Sequence, residues 1–283
     1  MGEGRQKRIE KEIVEAEATM NPPNLLDEAF GLSGGRVILV EDCVETSGAF
    51  VLHHLIKRSL SSSSPSPSPA GGGGTLVFVA LAQPFSHYDR IMRKMGCNLS
   101  IQRDNKRLHF IDMLKLKLQA EYKGEIGRNV IENGLAELYA KIQRTVEVSS
   151  FKEQGKGCIT IVIDDLSLLE IAAHGSGDHV LDFLRYCITL TSEQDCSLVI
   201  LNHKDIYSSD EAPRFLLNLE HLADVIIKTE PLTTGLAADV HGQLTITRKG
   251  ISNKHWYSAN KISNFHFKVK ENAVEYFYPG SQH

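Results

Sequence analysis

No apolar run in this sequence approaches the roughly 20 residues that a membrane-crossing helix needs, so no helical span and no membrane partner are expected. The opening stretch MGEGRQKRIEKEIVEAEA is charged and has no apolar centre, which argues against a secretory signal. Gln6 stands where an N-myristoylation site requires Ser or Thr. Positive charge is not in excess: 31 Lys and Arg face 35 Asp and Glu, a net charge of −4, so no global basic field draws the chain to nucleic acid. The cysteines number 5, an odd count with no C-x-x-C pair, which fits reduced thiols in a cytosolic or nuclear protein. Cys158 and Cys196 flank apolar runs and read as small core residues. There is no H-E-x-x-H and no G-x-S-x-G, so neither a metal set nor a nucleophile elbow is assigned. Ser86, His87 and Asp89 hold the residue types of a hydrolase triad, but a triad assembles across loops, and Ser86 reads as an N-cap-region residue.

What is present is an alternation of strands and helices. Residues 1–23 read as a charged N-terminal tail, and Asn24 opens a short helix that Gly31 ends. RVILVED is a continuous apolar run suited to a buried parallel strand, and Gly48 to Leu60 reads as the following helix. Residues 61–74, SSSSPSPSPAGGGG, cannot build a core and read as a flexible, disordered surface loop inserted into one domain spanning 24–283. The strand TLVFVALAQ, the helix FSHYDRIMRKMG, the strand RLHFIDML and a helix over 128–149 follow. GCITIVIDDL, a helix over 178–192, SLVILNHKD and the helix PRFLLNLEHLA continue the pattern. DVIIKTE, QLTITRKG, FHFKVKE and AVEYFYP then read as strands without intervening helices. The expected fold class is α/β: a mostly parallel β-sheet flanked by helices, extended by antiparallel C-terminal strands.

The turn after the first strand is the most informative segment. A phosphate-binding loop has the form G-x-x-x-x-G-K-[ST]; its amides cradle phosphate, its Lys neutralises charge and its hydroxyl holds magnesium. With Gly48 as the second glycine, Cys43 takes the first glycine's place, Ala49 the lysine's and Phe50 the hydroxyl's. The nearby Asp42 and Glu45 oppose an anion, and the expectation is a strand–turn–helix frame that no longer binds nucleotide. Asp164 and Asp165 follow CITIVI, as in the strand that orders magnesium in P-loop enzymes; without a loop hydroxyl to share the metal, a structural use is expected.

Arg248 and Lys249 follow a strand near the C-terminus. In ring ATPases of the RecA type, basic residues in a similar place reach a neighbour's nucleotide, and a solvated hairpin turn explains the pair equally well. His53 and His54 diverge on a helix and read as packing residues. Arg103, Lys106, Arg107, Lys115 and Lys117 are interleaved with Asp104 and Asp112 and read as a solvated face.

Together these segments resemble the Elongator subunit 6 family. The marks are T-S-G-A-F-V-L-H-H after the first strand and V-A-L-A-Q-P-F-S-H-Y in and after the second, extended by RLHFID, ITIVIDDLSLL and NLEHLADVIIKTEPLTTG. The resemblance implies a RecA-like domain without catalytic ATPase motifs, no catalytic residue and no cofactor. It implies that the chain joins subunits 4 and 5 in a heterohexameric ring, two copies of each, which binds tRNA and serves the larger Elongator complex in wobble-uridine modification. A cytoplasmic and nuclear location goes with it. Gln83 and Pro84 stand where such folds carry a catalytic acid. For tRNA contact the expected segment is 203–214, where Tyr207 lies between Lys204 and Arg214 and a base stacks on the ring while the cations hold phosphate. The competing expectation is a divergent RecA-like ATPase with an altered phosphate loop.

Overall fold

The structure, a computed structural model, describes residues 35–61, 74–113, 128–152, 158–173, 175–207, 212–235, 237, 239–250, 260–271 and 273–280. The tail 1–23, the helix expected from Asn24, most of the insertion 61–74, and Lys115 and Lys117 lie outside these residues.

Among the described residues, nine strands form one sheet in the order β3-β2-β4-β5-β1-β6-β7-β8-β9. They are β1 (Val37–Asp42), β2 (Thr75–Ala80), β3 (Leu108–Asp112), β4 (Ile159–Ile163), β5 (Ser197–His203), β6 (Val225–Glu230), β7 (Gly242–Arg248), β8 (Lys261–Val269) and β9 (Val274–Phe277). Pairing is parallel from β3 through β6 and antiparallel from β6 to β9. The parallel strands are apolar on both faces because helices cover both. β1, β2 and β4 are buried at every position. β7 instead alternates buried and half-buried residues, as expected for a strand with one wet face.

Helix α1 (Ala49–Leu60) covers one face of the sheet, joined there by α2 (Phe85–Lys94) and α3 (Leu99–Asp104). Tyr88 of α2 meets Phe78 of β2 edge to face, with ring centroids 4.7 Å apart. The opposite face carries α4 (Arg128–Lys152), α5 (Leu166–Ala172), α6 (Gly177–Gln194) and α7 (Ala212–Leu222). Their apolar stripes, including Leu138, Ile142 and Val146 of α4, join Leu39, Val77, Ile161 and Ile200 in one core. The strand–helix alternation and the antiparallel tail match the reading of the sequence.

Two short helices were not expected. Residues 99–104 and 166–172 are too short for a 3.6-residue period to show, and each starts from a capping side chain: Asn98 accepts from the amide of Ile101, and Asp165 from that of Leu168. Three expectations need correction. Cys158 is exposed, because it sits just before β4 begins, whereas Cys196 is buried. Ser86 does not cap α2: the helix begins at Phe85 with Pro84 as its N-cap. Arg107 does not lie on a solvated face, since its guanidinium donates to the carbonyls of Leu60 (2.7 Å) and Gly74 (3.4 Å), tying the end of α1 to the start of β2.

Candidate functional site

In open α/β sheets, ligands gather in the crevice beyond the carboxyl ends of the strands. Here the ends of β1, β4 and β5 bring together Asp42, Asp164, Asp165 and His203. β1 and β5 pair in register, with Asp42 opposite His203. The imidazole lies between two carboxylates: Nδ1 donates to Asp42 Oδ1, and Nε2 is 3.4 Å from Asp165 Oδ2. Both carboxylates are buried, while the ring is 32% exposed. The hydrogen bonds to Asp165 and Asp42 outweigh burial and lift the His203 pKa from 6.5 to about 10. Burial pushes the Asp165 carboxyl up, but hydrogen bonds from His203 and Ser167 outweigh it and hold the group below its usual range. His203 is therefore a fixed cation at neutral pH. Because each carboxylate aims at a different ring nitrogen, the three do not converge on a point. Among the described residues no group of three or more His, Cys, Asp or Glu is placed to hold a metal ion.

The loop from β1 into α1 bonds four of its amides internally, while the buried Thr46 Oγ1 has no hydrogen-bond partner among the described residues. The Gly48 amide donates to Asp42 Oδ2 (2.6 Å), that of Val44 to Asp205 Oδ2 (2.7 Å), that of Thr46 to the Cys43 carbonyl (3.0 Å) and that of Ala49 to Ser47 Oγ (3.2 Å). Thr229 Oγ1 on β6 adds a bond to the Thr46 carbonyl (3.1 Å). Gly48 sits in a close approach: a Cβ there would meet side-chain atoms of Val40, Asp42 and Thr229 at 3.0, 3.2 and 3.3 Å, so those neighbours would have to give by a few tenths of an ångström. Phe50 turns away from the loop and packs on the antiparallel extension, its ring 4.6 Å from that of Phe267 and 6.4 Å from that of Tyr276.

Asp164 is buried and fully engaged. It accepts from the amides of Leu81 (2.7 Å) and Ala82 (3.1 Å) and from the Tyr88 hydroxyl (2.5 Å), pinning the turn after β2. Burial raises its pKa against the pull of these donors. His53 is also buried beside Tyr88; burial, then the charge of His87, lowers its pKa to about 4, so it packs as a neutral ring. Gln83 is exposed.

The other sequence-predicted residues do not assemble into one surface. Lys204 lies in a single 3-10 turn, Lys204–Ile206, and pairs with Glu230. Tyr207 does not offer an open stacking face: its ring lies 5.5 Å from that of Phe215 and its hydroxyl donates to Asn202 Oδ1 (2.9 Å). Arg214 is exposed on α7. Lys249 does not project as a free cation; its Nζ donates to the carbonyls of Glu220 and His221, closing the C-terminal end of α7. Arg248 ends β7, half-buried, opposite Val225 and Lys261. Sequence reasoning missed His203 as the bridging cation and Asp205 and Tyr88 as loop anchors. Their partners are far apart in the chain, and only the strand order joins them.

Comparison with known proteins agrees with this architecture. Solved structures similar to the chain include a KaiC-like protein from Pyrococcus horikoshii OT3, with a TM-score of 0.57 and 11% identity over 87% of this chain and 91% of that one. An uncharacterized protein from Pyrococcus horikoshii in complex with an unknown peptide also has a TM-score of 0.57, with 14% identity, covering 90% and 97%. The fold is RecA-like. In sequence, the chain is 29% identical over 255 residues to Elongator complex protein 6 of Rattus norvegicus, covering 87% of this chain and 91% of the relative. It is 30% identical over 259 residues to the Xenopus laevis protein of that name, covering 88% and 92%. The family profile described as Elongation complex protein 6 matches residues 24–271, and the chain belongs to that family.

Proposed function

We propose that the chain is a non-catalytic structural subunit of the Elongator accessory ring, assembled with subunits 4 and 5, that supports tRNA binding and wobble-uridine modification in the cytoplasm and nucleus. The names of its relatives support membership of the Elongator complex. The observation that carries the non-catalytic part is the state of the loop after β1. Four of its amides are already bonded to the chain's own acceptors, two of them carboxylates. A phosphate there would have to displace Asp42 and Asp205, with neither Lys nor hydroxyl at positions 49 and 50 to compensate. The segment is a degenerate phosphate loop that serves as a strand–turn–helix connection. His203 holds the positive charge between strand ends that a nucleotide enzyme gives to its lysine and metal.

Affinity purification of the tagged full-length chain, followed by mass spectrometry, tests the assembly. Subunits 4 and 5 should be recovered at near-equal amounts; recovery of neither overturns the reading. Equilibrium dialysis with radiolabelled ATP and magnesium tests the loop. Retention of about one nucleotide per chain would instead support the divergent ATPase.

A further inference from the structure

We propose that the α2–α3 hairpin and the adjoining end of α1 form a contact surface for the phosphate backbone of RNA, separate from the strand ends described above. The proposal extends the RNA-supporting reading and rests on it. Although the whole chain is net negative, residues 85–107 carry six Lys or Arg against two Asp. The end of α1 adds Lys57 and Arg58.

The fold draws the elements that carry these cations together. Arg107 ties the last turn of α1 to the loop that ends α3. Lys57 and Arg107 both act electrostatically on the Cys97 thiol between α2 and α3. Asp89 of α2 accepts from the amide of Ser100 in α3 (3.2 Å), which closes the hairpin.

Some of the charge has a local use. Arg107 caps carbonyls, Arg93 pairs with Asp89 at 2.8 Å, and the Arg103 guanidinium sits 4.4 Å from the centroid of the Phe85 ring. That pairing removes one of the two carboxylates from the electrostatic balance. Lys57, Arg90, Lys94 and Lys106 remain: all four are exposed and none has an ion-pair partner among the described residues. Lys57 and Lys94 lie in the last turns of their helices, where cations complement the helix dipole; that accounts for their being tolerated there. It does not account for Arg90, which lies mid-helix, or for Lys106, which stands past the end of α3 at a φ of 60°.

The kind of partner follows from what else the surface carries. Protein interfaces have an apolar or aromatic centre and are depleted in Lys, whereas nucleic-acid interfaces are polar and strongly positive. On this face Ile101 is the one well-exposed large apolar side chain among the described residues, 53% accessible. Four unpaired cations around so little apolar area suit a run of phosphates better than an acidic protein.

The test is fluorescence anisotropy of a labelled RNA hairpin with the full-length chain across 50–200 mM salt. One variant carries Lys57→Gln, Arg90→Gln, Lys94→Gln and Lys106→Gln. A control neutralises Lys141, Arg144, Arg185 and Lys261 in the same way. The first variant should bind roughly tenfold or more weakly, and its log–log salt slope should flatten by about 1 for each phosphate it no longer neutralises. The control should bind as the unmodified chain does, and thermal melts should show both variants folded. Unchanged RNA affinity in the first variant, or equal losses in both, overturns the proposal while leaving the Elongator reading intact. Loss of binding to poly-glutamate with RNA affinity unchanged would assign the surface to an acidic protein instead and also overturns it. Absence of RNA binding by the unmodified chain removes this proposal together with the RNA part of the reading it extends.

Discussion

His203→Gln is the sharpest perturbation of the strand-end network. Removing the imidazolium leaves Asp42 and Asp165 buried without their shared cation. Taken at face value, a pKa lifted from 6.5 to about 10 corresponds to roughly 5 kcal/mol of preference for the folded, protonated form. The ring is 32% exposed, so solvent screens part of that energy. Asp42 also keeps the Gly48 amide, and Asp165 keeps the Leu168 amide and the Ser167 hydroxyl. We therefore expect a loss of about 2–3 kcal/mol near pH 7, below the full cost of breaking a buried pair. In a domain of this size that lowers Tm by roughly 5–10 °C.

The pH dependence has a fixed sign. A histidine whose folded pKa lies above its unfolded value contributes fully below about pH 6.5 and progressively less as pH rises through about 10. The gap in Tm between the unmodified protein and His203→Gln should be widest at pH 6–7 and shrink towards pH 10. Lysines that titrate near pH 10 are common to both proteins and cancel in the difference. Calorimetric melts between pH 6 and 10 measure the gap, and imidazole NMR, with His203 assigned by its absence from the variant, measures the pKa directly. An imidazole pKa near 6.5, or a gap that does not change with pH, refutes the bridging-cation account.

Phe50→Ala should destabilise the chain by about 2–3 kcal/mol in urea unfolding, because it removes a half-buried ring packed at a tilt against Phe267; a change under 0.5 kcal/mol would mean the antiparallel extension does not depend on it. Lys249→Met should cost about 1 kcal/mol through the two carbonyls it leaves at the end of α7. The loss should appear as faster amide exchange in that last turn, with the exchange of α1 unchanged.

Much of the fold was legible because its signals are local and periodic. The continuous apolar runs at 37–40, 76–80 and within 159–163 suit doubly covered strands, and the lack of a helical pattern between the last four strands pointed to hairpins. The site was less legible, for a physical reason. Ala49 and Phe50 could be set against a motif, but the bonds that hold the loop are distributed. Asp205 reaches the Val44 amide across 161 residues, His203 reaches Asp42 across the same separation, and Tyr88 reaches Asp164 across 76. Such pairs leave no mark in any local window. The basic residues divide: Lys249 and Lys204, read as available for contacts, are engaged at home, while Lys106, read as solvated charge, is exposed.

On the proposed non-catalytic reading, these features form a coherent set rather than a scatter of lost residues. An ordinary nucleotide site presents unsatisfied amides and waits for an anion; that arrangement costs stability until the ligand arrives. In this chain four amides after β1 are bonded to Asp42, Asp205, Ser47 and a backbone carbonyl, and His203 neutralises the buried carboxylates of Asp42 and Asp165. The position that a hydroxyl would hold for magnesium carries an aromatic ring that fastens α1 to β8. Each change moves in the same direction, from a site that needs a ligand to complete it towards a strand–turn–helix unit complete in itself. A merely damaged site would instead leave its buried carboxylates uncompensated; here the buried Thr46 Oγ1 is the gap, without a hydrogen-bond partner among the described residues. Internal completion of this kind is what a subunit needs if its RecA-like frame is to stay rigid with no nucleotide to order it.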